Sequence, residues 1–138
     1  MTIDVHELTT DEEWAEAVPV LRQLWSHKSE DEVRSWREED DYTLLGLYDD
    51  GDLVGCAGLY LQVVLHHERT AWLHDLVIDE DHRSEGYGAT LLDAAREWGA
   101  DQECDTLALV SRTTNDEAAA FYEREDMDRF GSVYEYRD

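Results

Sequence analysis

The 138-residue sequence predicts a mixed α/β (α+β) fold, a mostly antiparallel sheet with one parallel pair and helices on its faces. Three observations carry that expectation. Residues 42–48 and 53–65 read as strands on either side of Asp49-Asp50-Gly51-Asp52, which makes a hairpin turn. Residues 73–78, rich in Leu, Val and Ile, form a short strand that crosses an acidic turn and reaches Gly86 and Gly88 at the mouth of a helix. In that helix Leu91, Leu92, Ala95 and Trp98 recur at helical spacing, and Gly99 is placed to end it. A further strand at 106–110 completes a β-α-β unit, whose two strands run parallel.

The remaining elements follow in order. Residues 3–8 alternate with period two, as a half-buried strand does. Thr9, Thr10 and Asp11 are N-cap candidates for a helix carrying Trp14, Ala17, Val18, Leu21 and Trp25. Pro19 kinks or restarts that helix, because proline removes one backbone donor from the ladder. A charged helix over about 30–38 follows His27-Lys28-Ser29, with Val33 and Trp36 as its apolar contacts. In the long strand, Gly55 and Gly58 mark a bulge or a close approach of backbones. His66-His67-Glu68-Arg69 reads as a solvated turn: neighbouring histidines on a strand end point to opposite faces, so no metal site is expected. Asn115 caps a last helix containing Ala118, Phe121 and Tyr122, and residues 130–136 form an aromatic strand. Without a linker, repeat or low-complexity segment, residues 1–138 read as a single domain.

Composition narrows the class. The formal charge is −24, with 35 acidic residues against 11 basic ones, and Lys28 is the only lysine. The acids are dispersed along the chain, which points to solvation of the whole surface rather than to a local binding patch. This composition resembles that of proteins from salt-loving organisms; an ordinary acidic protein is the plain alternative. Nucleic-acid binding through a basic patch is disfavoured. No run reaches the ~20 apolar residues of a membrane span, and the first residues do not resemble a signal peptide. Cys56 and Cys104 suggest neither a disulfide framework nor a zinc site, so a cytoplasmic protein without membrane attachment is expected.

The glycine turn carries the first chemical signal. A strand feeding a glycine-rich turn and a helix leaves backbone N–H groups unpaired at the positive end of the helix dipole, which suits a phosphate. The alternative is a turn that needs glycine for its geometry alone. A second pattern decides between them. Arg83-x-x-Gly86-x-Gly88 and Asn115-x-x-Ala118-x-x-Phe121-Tyr122, in this order and on these elements, resemble the Gcn5-related N-acetyltransferases, the GNAT superfamily. The likeness runs through nearly the whole chain by element order and is sharpest from Leu73 to Met127.

The resemblance implies a GNAT-like sheet whose central parallel pair splays apart, with acetyl-CoA as co-substrate lying in the gap. Arg83, Ser84, Glu85, Gly86, Tyr87, Gly88 and Ala89 would hold its pyrophosphate. Backbone groups of Leu76, Val77 and Ile78 would hold the pantetheine arm, with Asn115, Tyr122 and Arg124 completing the site. The Leu76 N–H would polarise the thioester carbonyl. Tyr122 is the general acid for the departing sulfur, or else a core aromatic like Phe121. For the general base, Trp72 and His74 fall on the face that relatives use, while Asp75 alternates to the other. His74 either accepts the amine's proton or only packs, the proton then leaving through water. Two departures stand out: Asp126-Met127 replaces a glycine-aromatic pair, and Glu85 puts an acid inside the pyrophosphate turn.

The implied function is transfer of an acetyl group to a primary amine of a small molecule or a protein N-terminus. A catalytically degenerate acyl-CoA sensor and a fold-only interaction module are the alternatives, and a homodimer stays open. The acceptor would be met by residues 25–36, the strand 53–65 and the C-terminal strand region.

Overall fold

The computed structural model describes residues 2–63, 69–112, 114–129 and 131–137. They fall into two compact units, one ending at Ala108 and one beginning at Leu109.

The first unit is built on a five-stranded sheet in the order β1-β2-β3-β4-β5. β1 (Ile3–Glu7), β2 (Tyr42–Asp49), β3 (Asp52–Val63) and β4 (Arg69–Ile78) pair antiparallel in turn. β5 (Thr106–Leu109) lies parallel to β4 and reaches it through the crossover helix α3 (Tyr87–Asp101). The expected hairpin at 49–52 joins β2 and β3, with Asp50 and Gly51 both at positive φ. His66, His67 and Glu68 lie outside the described residues.

Helices cover the sheet on both faces. The core cluster on one face joins Trp14, Ala17, Val18, Val20 and Leu21 of α1 (Asp11–Leu24) and Val33 of α2 (Glu30–Ser35) to Leu44, Cys56 and Val77. Gly55, next to Cys56 on β3, faces the other way: a Cβ there would meet Ile78 Cδ1 at 2.7 Å and Leu91 Cδ2 of α3 at 3.4 Å. Gly55 thus marks a close approach, as expected.

Several expectations need correction. Pro19 lies inside α1, which runs unbroken from Asp11 to Leu24, so the helix does not restart there. Ala17 and Val18 before the proline, and Val20 and Leu21 after it, are all buried. Burying such side chains contributes roughly 1.5–3 kcal/mol each for the larger ones, enough to outweigh the ~3 kcal/mol an interior proline costs. Gly99 does not end α3, which continues to Asp101. It is buried, and a Cβ at this position would stand 3.1 Å from Ala71 Cβ, so its missing side chain lets the helix lie close on β4. The left-handed residue that follows α3 is Glu103, at φ 63°. The charged helix splits into α2 and a 3₁₀ turn at Trp36–Glu38.

The second unit contains α4 (Asp116–Arg124). Residues 131–137 form no strand, contrary to the aromatic strand expected over 130–136, and Phe130 itself lies outside the described residues. Alternation offers a face to bury, but a strand also needs a neighbour's ladder, and no described strand pairs with this segment. Val133, Tyr134 and Tyr136 are accordingly exposed. β5 also stops one residue short of the expected Val110, which is exposed.

Candidate active site

The path from β4 to α3 is fixed from several sides. Asp79 N–H donates to Val54 O at 2.8 Å, and His82 N–H to Asp79 O at 2.8 Å, closing a 3₁₀ turn at Glu80–His82. Gln23 of α1 reaches the same turn: its Oε1 accepts from Glu80 N–H at 2.9 Å and its Nε2 donates to Asp79 Oδ1 at 3.3 Å. Arg83 Nε donates to Ile78 O at 3.1 Å, which ties the guanidinium to the end of β4. Ser84 and Gly86 both take positive φ, 69° and 84°. Ser84, Glu85 and Gly86 are exposed, whereas Tyr87 is buried and its hydroxyl donates to Asp49 Oδ2. That hydrogen bond, with burial and the nearby Asp49 charge, pushes the Tyr87 hydroxyl up to about 12. With its ring turned inward, Tyr87 can meet a ligand only through its backbone.

The N-terminus of α3 is left bare. Gly86 is its N-cap and supplies no side-chain acceptor, and no acid stands in the first turn. The N–H groups of Tyr87, Gly88 and Ala89 are therefore left without a side-chain cap at the positive end of the helix. A phosphate is the complement of such an end.

On β4 the residues next to that turn behave differently from a simple alternation. Leu76 pairs with Ala57, Val77 with Cys56 and Ile78 with Gly55. Val77 is buried in the core, while Leu76 and Ile78 are half-buried. One step earlier the register slips: Gly58 stands opposite Asp75 and Leu59 opposite Leu73, so His74 is the extra residue of a bulge. The bulge turns Asp75 to the side of the sheet that His74 occupies, and the expectation that Asp75 points to the opposite face is wrong. His74 lies 4.8 Å from the Tyr60 ring, Tyr60 lies 5.3 Å from Tyr42, and the Tyr42 hydroxyl donates to Asp75 Oδ2 at 2.7 Å. Trp72, cross-strand from Tyr60, belongs to this aromatic row.

Asp75 is buried, and its other oxygen accepts from Trp25 Nε1–H at 2.6 Å. Burial, and then the adjacent Asp75 charge, push the Tyr42 hydroxyl well above its ordinary value, so it stays a donor. His74 itself is exposed. Sequence reasoning put Trp25 in the acceptor region without linking it to Asp75, and it singled out neither Gln23 nor Tyr42. Gly58 was the available signal: a Cβ there would run into the Tyr42 hydroxyl first and lie 2.6 Å from Asp75 Oδ2, so the glycine makes room for the hydrogen-bonded pair.

The second unit holds Asn115, Tyr122 and Arg124. Asn115 Oδ1 accepts from Ala118 N–H at 3.1 Å and caps α4. Tyr122 is half-buried, and burial raises its hydroxyl above 10. Arg124 is exposed in the last turn. Asp126 takes φ 66°, and Met127 N–H returns to Tyr122 O at 3.0 Å. Asp126 thus occupies the left-handed position that glycine commonly fills after a helix.

Known proteins resemble this chain in sequence and in fold. Residues 7–126 match the model of the acetyltransferase (GNAT) family. The uncharacterized N-acetyltransferase YhdJ of Bacillus subtilis (strain 168) is 29% identical over 127 residues, 87% of each chain. Among solved structures, the aminoglycoside N-acetyltransferase AAC(6')-Iy in complex with CoA superposes with a TM-score of 0.87 at 18% identity, covering 99% of this chain and 95% of its own. The ribosomal-protein-alanine N-acetyltransferase of Brucella melitensis biovar Abortus 2308 gives 0.85 at 20% identity, covering 99% and 100%. The chain belongs to the GNAT acetyltransferase family, and acetyl-CoA is the co-substrate that goes with it.

Proposed function

We propose that this protein is an N-acetyltransferase that moves the acetyl group of acetyl-CoA to a primary amine by direct attack. The acceptor is a small-molecule amine or a protein N-terminus, the two kinds that the names of its structural neighbours exemplify. The observation that carries the reading is the N-terminus of α3, which lacks both a side-chain cap and an acid in a chain dense with both.

The residues take the following roles. The N–H groups of Tyr87, Gly88 and Ala89, opened by Gly86, hold the pyrophosphate, with Arg83 and Ser84 beside them. Glu85 is exposed and its carboxylate has open solvent to turn into. Backbone groups of Leu76, Val77 and Ile78 hold the pantetheine arm, and the Leu76 N–H polarises the thioester carbonyl. Tyr122 gives its proton to the departing sulfur; the raised pKa keeps that proton in place at neutral pH. Asn115 serves by fixing the start of α4, and Arg124 supplies a positive charge at its end. His74 takes the proton of the attacking amine, directly or through water. The acidic surface fits a protein that works in concentrated salt, in the cytoplasm.

Thiol release from acetyl-CoA in the presence of ethanolamine, spermidine or an alanine-terminated peptide tests the proposal. Release that depends on the amine is expected. Binding of acetyl-CoA without release would replace this reading by that of an acyl-CoA sensor.

A further inference from the structure

Asp75 is the buried charged side chain among the described residues, and no described cation pairs with it. Its two oxygens accept from Trp25 Nε1–H and Tyr42 O–H, both neutral donors. Packing alone does not call for a carboxylate here. The site lies against the core, and burying an acid costs heavily where an apolar residue of similar volume would fit. Gly58 leaves the space that the Tyr42 hydroxyl and the carboxylate share.

The position of the carboxylate explains what it does. Asp75 immediately follows the bulge residue His74 and immediately precedes Leu76. Its donors come from two other segments, the residue after α1 and the first residue of β2. From Tyr42 the contacts return through Tyr60 to His74, so the row closes around the bulge. A bulge without such a tie is free to shift by one residue along the ladder, which would move His74 and Leu76 together.

We propose that Asp75 is a positioning residue: it locks the β4 bulge, and so sets His74 and Leu76, while holding Trp25 over the same face. The inference rests on the acetyltransferase reading for its catalytic consequence, but not for its geometry. One carboxylate then couples the strand that carries the reacting groups to the segment after α1. Both oxygens are already engaged, so Asp75 acts through its neighbours and not as the base.

The test is Asp75→Asn, which keeps the volume but offers one acceptor oxygen to two donors. Two signals are read without turnover: the Trp25 indole N–H resonance, assigned with Trp25→Phe, and the His74 ring resonances, assigned with His74→Gln. Both are expected to shift in Asp75→Asn, the His74 signals losing the ring-current effect of Tyr60. In kinetics with whichever of ethanolamine, spermidine or the alanine-terminated peptide turns over fastest, kcat is expected to fall at least tenfold. The acceptor KM rises, and acetyl-CoA affinity by calorimetry stays within twofold. Tyr42→Phe and Trp25→Phe each remove one donor while keeping a ring, and smaller changes of the same sign are expected; they decide the matter if Asp75→Asn does not fold. Unmoved His74 signals would overturn the proposal. So would a loss of turnover with both signals in place, which would make Asp75 a base in its own right. A wild-type protein that acetylates none of the three amines would count against the acetyltransferase reading alone, since the resonances still decide the clamp.

Discussion

Among the described residues four α-helices begin, and one of them begins unlike the others. α1, α2 and α4 each have a side-chain cap, from Thr10, Ser29 and Asn115, and each carries acids in its first turn. α3 has neither. An acid near a helix N-terminus contributes about 0.3–1 kcal/mol, and a good cap about 1 kcal/mol. With 35 acids in 138 residues, a first turn free of them forgoes a stabilisation that the other helices use. The difference shows how a helix end can do without a cap. Its backbone donors have no side-chain cap, the opening that the proposed pyrophosphate site uses, and the local stability is supplied by packing instead, through Tyr87, Leu91, Leu92 and Ala95.

The largest effect expected lies on α4, whose contribution is a side chain and not a helix end. Tyr122→Phe should lower turnover by about 10²-fold or more with acetyl-CoA affinity unchanged. Full turnover in that variant would return Tyr122 to the core. Next comes a substitution that makes α3 resemble its counterparts. Gly86→Asp installs an acidic cap and should weaken acetyl-CoA binding more than tenfold, about 1.4 kcal/mol. A folded Gly86→Asp protein with wild-type affinity by calorimetry would remove the pyrophosphate from this turn. The reciprocal change, Thr10→Ala in α1, should cost about 1 kcal/mol of unfolding free energy and leave acetyl-CoA affinity alone.

Salt probes the same contrast more gently. The Debye length is about 10 Å at 0.1 M and about 3 Å at 1 M, so salt hides the general acidic surface before it hides contacts at the turn. Between 0.05 and 2 M KCl, both melting temperature and acetyl-CoA affinity should rise, the affinity by roughly a few-fold. Values that stay flat or decline would refute the salt-adapted reading of the charge.

The smallest effect is a pH window at the capped end of α1. Glu13 accepts from Thr9 N–H and Thr10 N–H, at 2.9 and 3.0 Å, which holds it down at about 2 from an ordinary 4.5. Burial alone would lower His6, but its hydrogen bonds to Asp4 and Glu13 raise it above 6.5 on balance. The Glu13 contribution is therefore complete above about 4.5 and lost as pH falls toward 2, while that of His6 is complete below 6.5 and lost as pH rises through its raised value. Because His6 is 43% exposed, solvent screening keeps its share under about 1 kcal/mol. The wild type is expected to lose melting temperature as pH rises above 6.5, and His6→Gln is expected to lack that decline.

Much of this was legible in the sequence, and the exceptions have physical reasons. Element order, the hairpin at 49–52, the caps Thr10 and Asn115 and the glycine turn are local signals, set by residues within a few positions of each other. Asp75 was placed on the wrong face because a period-two reading assumes an unbroken ladder, and the extra residue His74 is visible only in the pairing of β3 with β4. Gly58 hinted at it from the other strand. Gly99 looked like a helix stop because glycine often is one, but its neighbour across the core, Ala71, lies 28 positions away in the chain. Pro19 was overridden by burial on both its sides. The tie from Trp25 and Tyr42 to Asp75 spans 50 and 33 residues, beyond the reach of any local pattern.

Among the described residues, Asp50, Ser84, Glu103 and Asp126 hold a positive φ without being glycine. Three of the four are acids, and all three are exposed. Left-handed backbone costs an L-residue roughly 1–2 kcal/mol, somewhat less for aspartate, although a side chain also narrows the unfolded ensemble that glycine would leave wide. Carboxylates therefore occupy the tips and helix ends as well as the helix faces. Their charge thus extends over the loops, where local opening of a fold begins.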